Sequence, residues 1–282
     1  MAQSRLLRER SRATLLLTLN RPESMNAIDR DLAVELRRGF DEAARQDEIR
    51  CIVLTGAGRA FSSGGDVREM HARLKSQPGD FDLGDELRHV YGPLARSIRD
   101  CPKPVIAAIN GTAAGAGLSL ALACDLRLAA AGAQLILAFV RIGLVPDAGS
   151  LFFLSRIVGI GRALEMALTG DPVSAEQAER IGLVGGVVPP DELLPKALER
   201  ADQMSALPAE ALRMIKSGME RGLSLDLDQA LELEAMLQSR AGRTADHHEA
   251  LSAFIEKRRP AFGATDGAES RESAGPARSG TP

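Results

Sequence analysis

Two glycine-rich stretches hold the residue types best suited to chemistry. The first runs Thr55-Gly56-Ala57-Gly58-Arg59-Ala60-Phe61-Ser62-Ser63-Gly64-Gly65-Asp66, and the second Asn110-Gly111-Thr112-Ala113-Ala114-Gly115-Ala116-Gly117-Leu118. Each follows a short apolar run that reads as a buried strand, and α/β proteins place their ligands at strand ends. Glycine and alanine let backbone approach a ligand closely and leave its N–H groups uncovered. Two such loops side by side can aim two amides at one oxygen. That is an oxyanion hole, where losing one donor typically costs about 3 kcal/mol of transition-state stabilisation. Tight turns and close helix packing explain the same glycines without any chemistry, so the loops alone leave both readings open.

Other chemistries fit less well. Gly56-x-Gly58-x-x-Phe61 lacks the third glycine of a dinucleotide fingerprint, and no acidic residue ends a strand at the distance a ribose requires. Gly117-x-Ser119-x-Ala121 approaches a nucleophile elbow, but His71 and His89 precede it and His247-His248 fall on a charged helix. No His, Cys and Asp cluster has ligand spacing, so no metal is expected.

The elements that must carry these loops can be read from pattern. Residues 13–20 (ATLLLTLN) form a buried strand that Arg21-Pro22 stops, because proline lacks the ladder donor and restrains the residue before it. From Asp29, the spacing of Leu32, Leu36, Phe40 and Ala43 predicts an amphipathic helix. Residues 51–55 (CIVLT) are a second buried strand. Strand, helix, strand implies parallel neighbours with a helical crossover.

Residues 68–82 are polar, contain Pro78-Gly79-Asp80, and are expected as a mobile loop over a site. A helix is expected over 85–99, and strands over 105–110, 126–130 and 135–140. Ser174-x-x-Gln177 is a capping-box signature opening a short helix that closes at Gly182. From Asp191 to about Arg259 the pattern is almost wholly helical. The Gly/Ser/Ala/Pro-rich end is expected to be disordered. The class is therefore α/β, with a core over 1–200, a helical region over 201–262 and a tail over 263–282. The helical region would cover the core or pack on a sister subunit.

Composition narrows the partners. The 282 residues carry 35 basic and 38 acidic side chains, a formal net charge of −3. That balance calls for no nucleic acid and no membrane surface, so an anionic substrate would need a local basic site. Cys51, Cys101 and Cys124 lie in or beside apolar runs without paired ligand spacing, as small buried hydrophobes do in a reducing compartment. The N-terminal apolar stretch is too short for a secretory h-region and no run is long enough to span a bilayer. A cytoplasmic location is expected.

Six blocks in order resemble the crotonase (enoyl-CoA hydratase/isomerase) superfamily. Asn20-Arg21-Pro22-Glu23-Ser24-Met25-Asn26-Ala27 resembles its NRP-x-x-x-NA entry. Ala60-Phe61-Ser62-Ser63-Gly64-Gly65-Asp66-Val67 is similar to its AF-[CS]-x-G-x-D turn. Lys103-Pro104-Val105-Ile106-Ala107-Ala108-Ile109-Asn110-Gly111 is close to its KP-V-IA-A-V-NG strand. Ala121-x-Ala123-Cys124-Asp125-Leu126-Arg127 matches its ALACD-[IL]-R block, and Ile142-Gly143-Leu144-Val145-Pro146 its LGL-[IV]-P turn. Phe254-Ile255-Glu256-Lys257-Arg258-Arg259-Pro260-x-Phe262 resembles its F-x-EKR-x-P-x-F ending.

The resemblance implies a spiral of stacked ββα turns with a helical trimerisation region, in a homotrimer or dimer of trimers. It implies an acyl-CoA thioester substrate, with coenzyme A arriving as part of the substrate and no separate cofactor. By position, the Ser63 and Ala116 amides would hold the thioester oxygen. Ser63, Gly64, Gly65 and Asp66 would line the thioester, and Met25 and Ala27 would approach the nucleotide. Lys257 would meet a CoA phosphate, unless it is simply a solvated surface lysine.

Departures from the family pattern speak to the reaction. Family hydratases hold water between two glutamates, and the matching places here carry Ser119 and Phe139. Phenylalanine cannot move a proton and serine is a poor base. Asp147, in a turn resembling the PD-[AS]-GG of 1,2-epoxyphenylacetyl-CoA isomerases, supplies another carboxylate. It would shuttle a proton, or else cap the helix that follows, which is worth about 1 kcal/mol. Phe139, with Phe152 and Phe153, would line a pocket for a flat acyl group, or these rings are core. The expected function is acyl-CoA double-bond isomerisation, on an enoyl-CoA or the ring epoxide. A hydratase with non-standard acid/base residues and a non-catalytic binding protein stay open as alternatives.

Overall fold

The structure, a computed structural model, describes residues 4–76 and 79–263. The expected disordered tail falls, from residue 264 on, outside the described residues. The chain divides after Ser205 into two compact units.

The first unit opens with a hairpin, β1 (Leu6–Ser11) and β2 (Thr14–Leu19), turned at Arg12 with φ 53°. Helix α1 (Arg30–Arg45) follows, capped by Asp29, whose carboxylate accepts the Leu32 N–H at 2.8 Å. Its buried face carries Leu32, Leu36, Phe40 and Ala43, as their spacing predicted. Next come β3 (Cys51–Gly56), β4 (Ala60–Ser62), α2 (Val67–Ser76), α3 (Leu83–Glu86) and α4 (Gly92–Arg99). They are followed by β5 (Val105–Ile109), β6 (Thr112–Ala114), α5 (Ala116–Ala123), β7 (Leu126–Ala130) and β8 (Gln134–Ile136). The unit closes with α6 (Ser150–Val158), α7 (Ile160–Thr169), β9 (Val173–Ser174), α8 (Ala175–Arg180), β10 (Val187–Val188) and α9 (Leu193–Ser205).

Two sheets result, one in the order β1-β2-β3-β5-β7-β10 and one in the order β4-β6-β8-β9. Each turn of chain lays one strand on the large sheet, one on the small sheet, and then a helix. β3, β4 and α2–α4 make one such turn, and β5, β6 and α5 the next. The first turn is reduced on the small-sheet side to a single parallel bridge, Ile28 to Gly65. This is the expected spiral.

The central strands are apolar throughout because both faces are covered. Ile52 and Leu54 of β3 enter a core shared with α1, α4 and α5, while Cys51 and Val53 enter a second one with Leu193, Ala197 and Ala201 of α9. All three cysteines are buried.

Three expectations change. Residues 68–82 were expected as loop, but α2 fills the first part, because the Asp66 carboxylate accepts the Arg68 and Glu69 amides at 3.1 and 3.2 Å and so caps it. The helix expected over 85–99 is broken by a π-helical turn, Leu87–Tyr91, just ahead of Pro93, which has no N–H to continue the ladder. The strand expected over 135–140 stops at Ile136 and gives way to a 3₁₀ turn, Ala138–Ile142.

The second unit is helical: α10 (Ala209–Gly222), α11 (Leu227–Ala241) and α12 (Ala245–Glu256). Asp226 and Gln229 form a capping box on α11, and Thr244 caps α12. Among the described residues, no helix is long and apolar enough to cross a membrane.

Candidate active site

The two glycine-rich loops start side by side because β4 and β6 pair in parallel, Ala60 with Thr112 and Ser62 with Ala113. Missing side chains let them close up. Gly64 has φ 99°, and a Cβ there would stand 2.8 Å from the Ala114 carbonyl and 3.3 Å from the Ala116 nitrogen. A Cβ on Gly117 would stand 2.6 Å from that of Ser62. Real Cβ atoms do not approach so closely, so these glycines set the spacing of the loops.

Arg21 and Asn26 brace the first loop. The Asn26 side chain donates to the carbonyls of Ala57 and Ala60 at 2.9 and 2.8 Å. The Arg21 guanidinium donates to Asp66 at 3.0 Å and to the Ala27 carbonyl at 2.6 Å. Asn20 donates to the Ser4 carbonyl at 2.8 Å, tying in the start of β1.

Backbone parity then decides which amides face the cavity between the loops. Ile28 N–H donates to the Gly64 carbonyl at 2.7 Å, and Asp66 N–H donates to the Ile28 carbonyl at 3.0 Å. In this parallel bridge the intervening Gly65 N–H must point the other way. Ser63 N–H donates to the Met25 carbonyl at 2.9 Å, and Gly64 N–H to Ser62 Oγ at 3.1 Å. Gly65 is therefore the amide of this turn left without an acceptor among the described residues. The expectation for Ser63 is corrected by two positions, because its amide is already spent.

Ala116 opens α5, where first-turn amides have no intrahelical partner. The Gly115 amide before it is spent on the Ile136 carbonyl at 2.9 Å. Gly65, Gly115 and Ala116 all line one cavity of about 400 Å³, together with Ser63, Gly64 and Asp147. Its walls are mainly apolar, with Val67, Met70, Leu83, Leu87 and Phe139 among them.

Asp147 is the group whose surroundings are least ordinary. Its backbone carbonyl accepts both the N–H and the Oγ of Ser150, at 2.9 and 2.7 Å, and Gly149 rather than Asp147 is the cap of α6. The carboxylate therefore does not cap the helix. Its Oδ1 is buried without a hydrogen-bond partner, and burial pushes its pKa up from 3.8 to about 6. The next residue, Ala148, sits at φ 47°, a left-handed conformation that is costly for alanine and clusters at functional sites.

The other predicted residues separate. Phe139 is buried and lines the cavity. Phe152 and Phe153 do not line it. They meet edge-on at 5.4 Å, with Arg156 over Phe152 and Arg99 over Phe153.

Asp66 is corrected too, since its side chain turns to Arg21 and to the start of α2 rather than lining the cavity. Burial alone would raise its pKa, but the Glu69 amide, the Arg21 guanidinium and the Arg68 amide outweigh it and hold the carboxyl below its usual range. Ser119 Oγ donates to the Gly115 carbonyl at 3.2 Å within its own helix and lies outside the cavity lining. Met25 and Ala27 also lie outside the lining, and Lys257 is exposed at the end of α12 in the second unit.

Three polar residues of the cavity carried no sequence signal: Arg141, in the 3₁₀ turn, Glu86 and Tyr91. Glu86 lines it, with Oε1 at 2.8 Å from both Arg30 and Arg73. Tyr91, the chain's single tyrosine, lines it with its hydroxyl donating to the Ile28 carbonyl at 2.9 Å. Both stand in or beside the π-helical turn that the helical pattern concealed. Among the described residues, no group of three His, Cys, Asp or Glu side chains is arranged to hold a metal ion.

Comparison with known proteins shows the family. The model of the enoyl-CoA hydratase/isomerase family matches residues 9–265. The chain is 39% identical over 251 residues to the 1,2-epoxyphenylacetyl-CoA isomerase of Escherichia coli, covering 89% of this chain and 95% of that one. It is 43% identical over 254 residues to a probable enoyl-CoA hydratase of Rhodobacter capsulatus, covering 90% and 96%. A putative enoyl-CoA hydratase/isomerase from Mycobacterium abscessus superposes with a TM-score of 0.87 at 33% identity, over 92% of this chain and 99% of that one. A spiral of two sheets, a pair of unspent amides at the junction of two glycine-rich loops, and end-to-end likeness lead to one conclusion: this chain is an enzyme of the enoyl-CoA hydratase/isomerase, or crotonase, family.

Proposed function

We propose that the protein moves a double bond within the acyl group of a coenzyme A thioester. The Gly65 and Ala116 amides hold the enolate oxygen and Asp147 carries the proton. On a 3-enoyl thioester, the Asp147 carboxylate takes a proton from C2. The electron pair moves into C1–C2 and the carbonyl oxygen takes up negative charge against the two amides. The dienolate then recovers the proton at C4 and leaves the double bond at C2–C3. General acid–base help of this kind contributes about 10²–10⁴-fold, and the amides act where charge develops.

The observation that carries this reading is the buried, unpartnered Asp147 Oδ1 in a cavity lined by both amides. A carboxyl lifted to about 6 can both take and return a proton near neutral pH. The mainly apolar walls suit an enoyl chain or the ring epoxide named for the E. coli relative. The coenzyme A part needs no further cofactor, and exposed Lys257 is a candidate for one of its phosphates.

We take the working form to be a homotrimer or dimer of trimers. Large apolar side chains left exposed in each unit, Ile160 and Leu168 in one and Phe254 and Ile255 in the other, support that. A non-catalytic binding role fits poorly with a cavity that keeps a strained turn and an unpartnered carboxylate.

A hydratase reading rests on one specific observation, the presence of Glu86 in the same cavity. Hydration needs a water polarised by two acid/base groups, and Glu86 is already engaged by two guanidinium groups. Supplying the enzyme with a 3-enoyl-CoA, a 2-enoyl-CoA and 1,2-epoxyphenylacetyl-CoA decides the matter by product. Isomerised thioester from the first or third supports the proposal. Accumulation of 3-hydroxyacyl-CoA from the second, with no isomerisation of the others, overturns it.

A further inference from the structure

The Ile28 carbonyl has two donors. Asp66 N–H reaches it at 3.0 Å and the Tyr91 hydroxyl at 2.9 Å. That carbonyl is half of the bridge that turns Gly65 N–H toward the cavity. Tyr91 is also packed directly over Gly65, its hydroxyl oxygen 3.8 Å from where a Gly65 Cβ would stand.

The chain spends an irregularity to achieve this. Tyr91 ends a π-helical turn, Leu87–Tyr91, and Gly92-Pro93 follow it into α4. A π turn inserts one residue into a helix and shifts the face that later residues present, a device concentrated at functional sites. Gly92 is needed there, since a Cβ on it would stand 2.6 Å from the Leu87 carbonyl. The apolar Met70, Leu83 and Leu87 line the same cavity as the ring.

We propose that Tyr91 is a positioning residue of the oxyanion hole, acting through the Ile28 carbonyl to fix the direction of the Gly65 amide. This rests on the assignment of Gly65 as a donor. A flexible glycine amide gives away catalytic advantage unless something outside it fixes its orientation, because preorganised donors need no rearrangement as charge develops. Ile28 holds the segment through two backbone hydrogen bonds, its N–H to the Gly64 carbonyl and its carbonyl to the Asp66 N–H. The phenol holds Ile28 itself in place by adding a second donor at that carbonyl. Burial, then the charge of Asp147, hold the phenol above its ordinary pKa, so it stays a donor throughout the neutral range.

The test reads the amide's effect on its ligand. A 2-enoyl-CoA carrying ¹³C at the thioester carbonyl is bound to wild type and to Tyr91→Phe, and the carbonyl stretch is read by isotope-edited difference infrared spectroscopy. In wild type the stretch moves to lower frequency than in free ligand. In Tyr91→Phe the displacement shrinks and the band broadens, with kcat down about tenfold and KM within about threefold, the split expected of an interaction made in the transition state. Full displacement and kcat in the variant overturn the proposal.

A wild-type band that does not move at all overturns the donor assignment itself, a distinct result. Because Tyr91 is the only tyrosine, 3-fluorotyrosine labels this position alone and keeps the hydroxyl, which guards against a poorly folding phenylalanine variant. Its ¹⁹F resonance is expected to move when 2-enoyl-CoA binds. A resonance indifferent to saturating ligand contradicts the placement of the phenol over Gly65.

Discussion

Asp147 and Glu86 line the same cavity and are held in opposite ways. Glu86 stands between Arg30 of α1 and Arg73 of α2, at 2.8 Å from each, so its charge is neutralised on the spot. Asp147 hangs from a strained turn with Oδ1 buried and unpartnered, and its pKa is raised by burial. An ion pair ties two helices to the cavity wall. An unpaired carboxylate stabilises nothing, and leaving a buried charge without partners costs free energy. The proposed reaction gives that cost a use at Asp147, where a proton would be taken and given back.

The contrast can be broken most severely at Asp147. Asp147→Asn keeps the size of the side chain and removes its basicity, so isomerisation is expected to fall about 10²–10⁴-fold with little change in KM. A steady-state assay of double-bond migration shows it. An equally active variant would remove Asp147 from the chemistry.

Acidity gives the next effect. The base works only when ionised, so kcat/KM is expected to rise with pH and level off above about 6, falling tenfold per pH unit below that. A profile that is flat from pH 5 to 8 contradicts the raised carboxyl.

Stability should move the other way. A carboxyl whose folded pKa exceeds its unfolded value binds its proton more tightly when folded. Its ionisation costs stability above about pH 6 and nothing below about pH 4. Asp147→Asn is therefore expected to gain about 1–3 kcal/mol at pH 8 and almost nothing at pH 4. Chemical denaturation at the two pH values measures it, and equal gains would contradict burial as the cause.

The smallest effect falls at the other carboxylate. Glu86→Gln leaves double-bond migration within about threefold, and loosening two ion pairs costs only about 1 kcal/mol. A loss as large as that of Asp147→Asn would make Glu86 a second acid/base group and move the enzyme toward hydration.

What the sequence made legible follows from the same physics. The central strands declare themselves because burial on both faces leaves continuous apolar runs such as Cys51-Ile-Val-Leu. β1 does not, since only Leu6 is buried in it. The family blocks located the first loop and the start of the second. Gly64 is a glycine of its block for a steric reason, and Gly117, outside every block, is one for the same reason.

Amide direction was another matter. It depends on the bridge to Ile28, a residue remote in sequence, so a motif places the loop without saying whether Ser63 or Gly65 faces the substrate. Tyr91 and Glu86 were hidden for a related reason: a π turn shifts the helical face, and periodicity counted at 3.6 residues looks past it. Asp147 was legible as a carboxylate in the right turn. Only the structure removes the capping role, through the partners that Ser150 finds on its backbone.

The most direct test of Asp147 as the single proton carrier is isotope exchange. Wild type, Asp147→Asn and Glu86→Gln are each incubated in D₂O with a 3-enoyl-CoA, and deuterium at C2 and C4 is followed by NMR as the double bond moves. Wild type and Glu86→Gln should incorporate deuterium and migrate the bond, while Asp147→Asn does neither. Exchange that survives in Asp147→Asn but disappears in Glu86→Gln would contradict the assignment and make Glu86 the base.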